Sequence, residues 1–379
     1  MTDRLTAPIR VNNPRRLPRW QIDAKRIPIG RPGDYKPSLV FLPGGGLLMV
    51  AFHQTGTQGK SDFHEVTTFW RSDDGGATWS DRDDRRDVIG REQFLSRTRA
   101  GTLFMSSHIL AADNAYDGPK SSYHSYLHRS TDDGKTWQRT RVRLEGEERR
   151  GVPETNGTTT DRNVVELPDG ALLFGVALDN SSVACMWRST DNGESWDRNR
   201  PCHILGYYDN ADGFFSNSFT YLNEAGILLH FPRVGHPSPM TPMNDGRPVP
   251  LGDDHCDRMM WTKSADDGAM WSRVADFADY GQMYPRVLKL HDGRLLLTFT
   301  QRGMNCPLGL RAILSCDDGE TWDFHCDQIV IEGFTPWGAP SGGGFGNTVQ
   351  LHDGTLVSCY SYMGPDENVH VEVARWRLP

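Results

Sequence analysis

Ser130-Thr131-Asp132-Asp133-Gly134-Lys135-Thr136-Trp137 is one of five near-copies of the same octapeptide. The others run from Ser72 to Trp79 (SDDGGATW), Ser189 to Trp196 (STDNGESW), Ser264 to Trp271 (SADDGAMW) and Ser315 to Trp322 (SCDDGETW). The shared pattern is Ser-x-Asp-x-Gly-x-Thr/Ser-Trp, with Met270 in place of the hydroxyl residue once. Each copy suits a tight turn between two strands: the Asp bonds back to turn amides, the Gly takes a positive φ and the Trp packs into the sheet. Recurrence at this spacing marks a radial array of similar units. The motif reports architecture and says little about chemistry.

A second repeat interleaves with the first. Six stretches read as apolar hairpins with Gly in the turn: 38–52, 94–108, 163–177, 218–232, 286–300 and 347–361. In the first five, a third strand leads into the octapeptide and a fourth leaves it. The expected fold is all-β, a six-bladed β-propeller of four-stranded antiparallel blades. The sixth unit lacks the octapeptide and ends in VHVEVARWRLP (369–379), which supplies only a third strand. The segment around Trp20–Ile29 is expected to provide the fourth and close the ring, protecting a strand edge. Residues 20–379 then form one domain, preceded by an extended Pro/Arg-rich arm over 1–19.

Strand direction sorts the two faces. With strands A to D counted from the axis, the A–B turns and the octapeptide C–D turns share one face. The B–C and D–A loops share the other, and they are long: 53–66, 109–123, 138–161, 197–216, 233–257 and 323–345. Long loops on a rigid scaffold are where function sits.

Composition narrows the partners. A net charge of −8 argues against nucleic acid, and no apolar run is long enough to span a membrane. The basic N-terminus lacks an apolar stretch, so no secretory signal is read there. Seven scattered cysteines without ligand spacing suit reduced thiols and a cytoplasmic location. No cofactor is called for, and no metal motif is present.

At the starts of the A strands and the ends of the B strands stand Lys36, Arg91, Glu92, Arg162, Arg233, Arg286 and Arg302, with His53, His108 and Asn217. The A-strand starts are sparse in acids. Several cations converging there, in an acidic protein, imply an anionic ligand, because Arg forks bind carboxylates bidentately.

The octapeptide resembles the Asp-box of the sialidase superfamily, and the resemblance covers nearly the whole chain. That family holds a sugar carboxylate with three arginines, attacks with a Tyr activated by a Glu, and uses an Asp as acid/base. The resemblance implies that Arg286 and Arg233 match two of the arginines, and that Lys36, within Tyr35-Lys36-Pro37, replaces the third. Asp62 falls at the acid/base offset. The Glu position holds Asn217 and Ser218, and the Tyr position falls on Phe345. A Phe cannot attack an anomeric carbon, so the orthodox mechanism is not expected.

The first B–C loop is the densest chemical segment, with Asp62, His64 and Glu65 as candidates for proton transfer. A second carboxylate could come from Glu92, Glu154, Asp161, Asp179, Asp209 or Asp212. The reading is an exo-acting glycoside hydrolase taking a terminal acidic or atypical sugar. Two others stay open. His53, His64, His108, His124, His236 and His255 beside a cationic clamp would suit β-elimination from a uronic acid. A propeller that only binds sugar would stack it on aromatics such as Trp70, Tyr284 and Tyr360.

Overall fold

A computed structural model describes residues 20–55, 64–109, 124–144, 157–178, 183–206, 213–234, 257–301, 309–324, 328–332, 343–364, 366 and 368–378. Every regular element among them is a strand, and they form the six-bladed propeller expected from the hairpin count. Blade one shows the pattern. Asp34–Phe41 is innermost and pairs antiparallel with Leu47–Thr55, which pairs with His64–Ser72, which pairs with Asp83–Arg85.

Closure is carried by the N-terminal segment. Lys25–Ile29 pairs antiparallel with Val369–Trp376, from Lys25 opposite Arg375 to Ile29 opposite Val371, and completes blade six. Trp20–Gln21 goes further and adds a short parallel strand to the outer edge of blade five, beside Gln328–Glu332.

The core lies between blades, because each blade buries both of its faces against its neighbours. Leu39, Met49, Val357 and Val373 fill the seam between blades six and one; Val50, Leu95 and Met105 fill the next. Each octapeptide Trp enters a different seam: Trp79, Trp137, Trp196, Trp271 and Trp322. Blade six has no octapeptide, and Trp376 packs into the seam between blades five and six instead, its Nε1 donating to Ser358 Oγ at 2.9 Å.

The octapeptide turns are built as their sequence implies. In the second copy, Asp132 Oδ1 accepts from the Thr136 amide at 2.9 Å and Oδ2 from the Thr136 hydroxyl at 2.6 Å, while Ser130 Oγ accepts from the Gly134 amide at 3.0 Å. Burial would raise the Asp132 pKa, but these bonds outweigh it and hold it at about 2. The A–B turns lie on the same face as these corners: the Glu224 amide donates to Asp318 at 2.7 Å and Arg188 meets Asp169 at 2.8 Å.

Gly134 has φ 75°, and a Cβ there would stand 2.7 Å from Leu48 Cδ2 of the preceding blade. Gly134→Ala therefore combines a left-handed backbone with a crowded seam. It should cost about 2–4 kcal/mol, read as a lower denaturation midpoint with an unchanged secondary-structure spectrum.

Candidate functional site at the propeller axis

The innermost strands begin irregularly. Register shifts fall between Tyr35 and Ser38, between Arg91 and Phe94, and between Met283 and Arg286. Aligning these bulges defines one ring residue per blade: Lys36, Glu92, Arg162, Asn217, Tyr284 and Phe345. Five of the six adopt positive φ: Lys36 49°, Glu92 55°, Asn217 49°, Tyr284 59° and Phe345 58°. A non-glycine residue held there costs of order 1–2 kcal/mol, and such strain clusters at functional sites.

The ring residues touch one another. Glu92 is central: Lys36 Nζ pairs with its Oε1, and Arg162 Nη2 lies 3.2 Å and His108 Nε2 4.0 Å from its Oε2. Arg162 Nη2 also donates to Asn217 Oδ1. Tyr284 and Phe345 stack with centroids 3.9 Å apart, and Lys36 Nζ and the Arg162 guanidinium lie 3.9 and 4.6 Å from the Phe345 centroid. Arg233 Nη1 donates to the Tyr284 hydroxyl at 3.0 Å, and its Nε lies 3.3 Å from Asp257 Oδ2.

Electrostatics give these groups fixed charge states. Burial opposes ionisation of Glu92, but Lys36, His108 and Arg162 outweigh it, so its pKa lies well below the carboxylate norm. Burial lowers the His108 pKa to about 4, against the pull of Glu92, which makes the ring neutral at pH 7. Asp161, adjoining Arg162, is pushed the other way. Burial raises it to about 6, although the Thr220 and Ser218 hydroxyls and the Arg162 amide donate to it.

Four of the cations expected from sequence, Lys36, Arg91, Arg162 and Arg233, thus lie against acids. Lys36 and Arg162 share Glu92; Arg91 Nη2 meets Glu65 Oε1 at 2.6 Å, where Gln54 also donates at 3.2 Å. His53 Nδ1 lies 2.9 Å from Asp34 Oδ1, whose carboxylate Arg82 also engages. The expected shortage of acids at the A-strand starts does not hold, because Glu92 stands on the ring itself.

Arg286 does not open its strand. It is the fifth residue of Gln282–Lys289, and Tyr284 occupies the ring position. Arg286 belongs to the next layer, at 3% exposure, with its guanidinium 4.4 Å from the Phe94 centroid and 5.7 Å from that of Phe219. The signal missed was Tyr284-Pro285, which repeats the ring-residue-then-Pro pattern of Lys36-Pro37. Trp70 and Tyr360 are buried in seams rather than turned to a ligand. Asp62, Arg302, Glu154, Asp179, Asp209, Asp212, His236, His255 and the arm 1–19 lie outside the described residues; His64 ends a strand opposite Thr55.

A six-bladed propeller with five Asp-boxes and a polar ring at its axis is a sialidase-like propeller. The chain belongs to the BNR repeat-like domain family, whose profile matches residues 95–325. No curated protein sequence matches it. Among solved structures, it is similar to a Dyadobacter fermentans protein of unknown function (16% identity, 94% of this chain and 98% of that one, TM-score 0.66). It is also similar to the GH93 α-L-arabinofuranosidase of Fusarium graminearum, solved with arabinobiose (14%, 93% and 98%, TM-score 0.60). The NanB sialidase of Streptococcus pneumoniae is a third (13%, 100% and 73%, TM-score 0.59).

The Asp161 carboxyl keeps its proton to about pH 6 when folded, against a reference value of 3.8. The folded state therefore binds more protons across that interval, and stability falls as pH rises from about 4 to about 6. Asp161→Asn should flatten this part of the stability–pH curve, by at most about 3 kcal/mol relative to wild type. Denaturant titrations at pH 4, 5, 6 and 7 measure it.

Proposed function

We propose that this protein is an exo-acting glycoside hydrolase whose cleavage site is the axial ring, with Glu92 as the carboxylate facing the anomeric carbon. The observation that carries this reading is the setting of Glu92: a carboxylate only 11% exposed, flanked by Lys36 and Arg162, whose charges favour its ionised form. Glycoside cleavage passes through an oxocarbenium-like state, and a fixed negative charge in a water-poor pocket stabilises it or captures it covalently. Glu92 is too acidic to donate a proton, so a different group protonates the leaving oxygen. The candidates for that role are Asp62, which lies outside the described residues, and His64, the first residue of a strand, whereas Glu65 is engaged by Arg91. Tyr284, held by Arg233, offers an aromatic wall and a hydroxyl for substrate contacts.

The sugar is of the atypical rather than the strongly acidic kind. Lys36, Arg162, Arg233 and Arg91 already face carboxylates, so a substrate carboxylate would compete with Glu92, Asp257 and Glu65. Similarity in fold to an arabinofuranosidase supports the same reading. The neutral His108 beside the cations favours a second reading, uronate elimination, with His108 as the base.

Aryl glycosides of neutral pentoses and hexoses, a uronide and a sialoside distinguish these. Release of the aryl alcohol from a neutral furanoside or pyranoside is expected, with Glu92→Gln lowering kcat by about 10²–10⁴-fold. Since Gln removes the charge that Lys36 pairs with on the ring, the Lys36→Met/Glu92→Gln pair is assayed alongside it as a folded control. Turnover confined to the sialoside would remove the neutral-sugar reading. A near-ultraviolet chromophore from the uronide would replace hydrolysis by elimination.

A further inference from the structure

Behind the ring, three buried side chains form a line of hydrogen bonds in which every hydrogen can be assigned. Asp161, Thr220 and His230 are each at most 1% exposed. Asp161 Oδ2 meets the Thr220 hydroxyl, Thr220 Oγ1 lies 2.8 Å from His230 Nδ1, and His230 Nε2 lies 3.0 Å from the Phe214 carbonyl oxygen. Thr220 and His230 stand opposite one another on the first two strands of blade four, so the line crosses from blade three into that hairpin. The other carboxyl oxygen, Asp161 Oδ1, accepts from Ser218 Oγ at 2.9 Å and from the Arg162 amide at 3.0 Å.

Three contacts need three hydrogens. With Asp161 ionised and His230 neutral there are two, one on Thr220 and one on the imidazole. The Thr220 hydrogen then turns to the carboxylate. The imidazole hydrogen serves either Thr220 or the Phe214 carbonyl, and the contact it leaves sets lone pair against lone pair. Buried polar groups in folded proteins are hydrogen-bonded, so the line is complete only with a third hydrogen, on Asp161 or on Nδ1. His230 packs against Phe214, Phe215 and Trp271, with centroids 4.7, 4.9 and 5.4 Å away, and burial there lowers its pKa to about 3. Burial raises Asp161 instead, against its three donors. The third hydrogen therefore belongs to the carboxyl, which donates to Thr220, which donates to Nδ1, while Nε2 donates to Phe214.

We infer that Asp161, Thr220 and His230 form a neutral proton-sharing chain that braces ring residues Arg162 and Asn217 from behind and comes apart when Asp161 ionises. Asp161 holds the Arg162 amide and, through Ser218, the residue that follows Asn217, and Arg162 Nη2 donates to Asn217 in front. Asn163 clamps the same seam, donating to the Thr220 carbonyl at 2.7 Å and accepting from its amide at 3.1 Å. Arg162, next in the chain, and Arg286 of blade five act on the Asp161 charge; among the described residues the one charged group near His230 is Asp161, 3.9 Å away. Ionisation removes one hydrogen from the chain and sets a second carboxylate beside Arg162, in competition with Glu92. These are positioning residues, acting on the ring through Arg162 and Asn217.

Nitrogen-15 NMR of the full chain, labelled at histidine and arginine and followed from pH 4 to pH 8, tests this. At the acid end His230 is expected as one neutral tautomer, with Nε2 protonated and Nδ1 accepting. As pH rises, the His230 Nδ1 and Arg162 amide resonances should shift together with a midpoint at about 6, the imidazole staying neutral throughout. Asp161→Asn should abolish both shifts, because an amide N–H supplies the third hydrogen at every pH. A doubly protonated His230, the opposite tautomer at the acid end, or no transition in the wild type overturns the inference. So does a transition that survives in Asp161→Asn. Should that variant fail to fold, the wild-type spectra decide, with His230 recognised by its contacts to the Phe214 and Trp271 rings. No sugar enters the measurement, so its outcome is independent of the proposed hydrolysis.

Discussion

No blade of this protein can stand alone. Each sheet is apolar on both faces, and only a neighbour on either side removes those faces from water. A ring satisfies that condition for all six blades, but only if the first and last are joined. Pairing of Lys25–Ile29 with Val369–Trp376 makes the join, fixing blade six in place between blades five and one. The Asp-box corners then act as spacers. Their glycines let the turns approach the preceding blade, and their tryptophans fill the seams.

Closure brings six bulged strand starts to one point, and there the chemistry of the molecule concentrates. The ring is strained, aromatic and charged at once, with a carboxylate held ionised between two cations and a neutral imidazole nearby. Side chains that would repel or desolvate one another singly are tolerated because each has a counterpart on a different blade. Lys36 and Glu92 are 56 residues apart, and Arg162 and Glu92 are 70 apart. Such pairings exist only in the closed ring. They set acids of one blade against cations of another, which is why we propose a sugar held by hydroxyls and ring faces rather than a strong acid.

The architecture was legible because it is repeated. Five octapeptides and six hairpins, each with the same turn chemistry, point to a single fold, and the missing sixth corner points to the N-terminal strand. Most ring positions could also be counted from the hairpins: Lys36, Glu92, Arg162, Asn217 and Phe345. In blade five the hairpin count falls two residues away from the ring position. A bulge there places Tyr284 on the ring and takes Arg286 one layer down, and a two-residue shift keeps the same face of the strand while changing depth along the axis.

Local pattern thus dictated blade number, turn chemistry, chain closure and the face on which the polar residues gather, since each depends on short-range periodicity and on the alternation of strand direction. Charge pairing, the depth of Arg286 and the ionisation of Glu92, His108 and Asp161 came from the folded ring alone. These depend on distances between residues remote in the chain and on the exclusion of water, and neither is encoded in the spacing of residues along a strand.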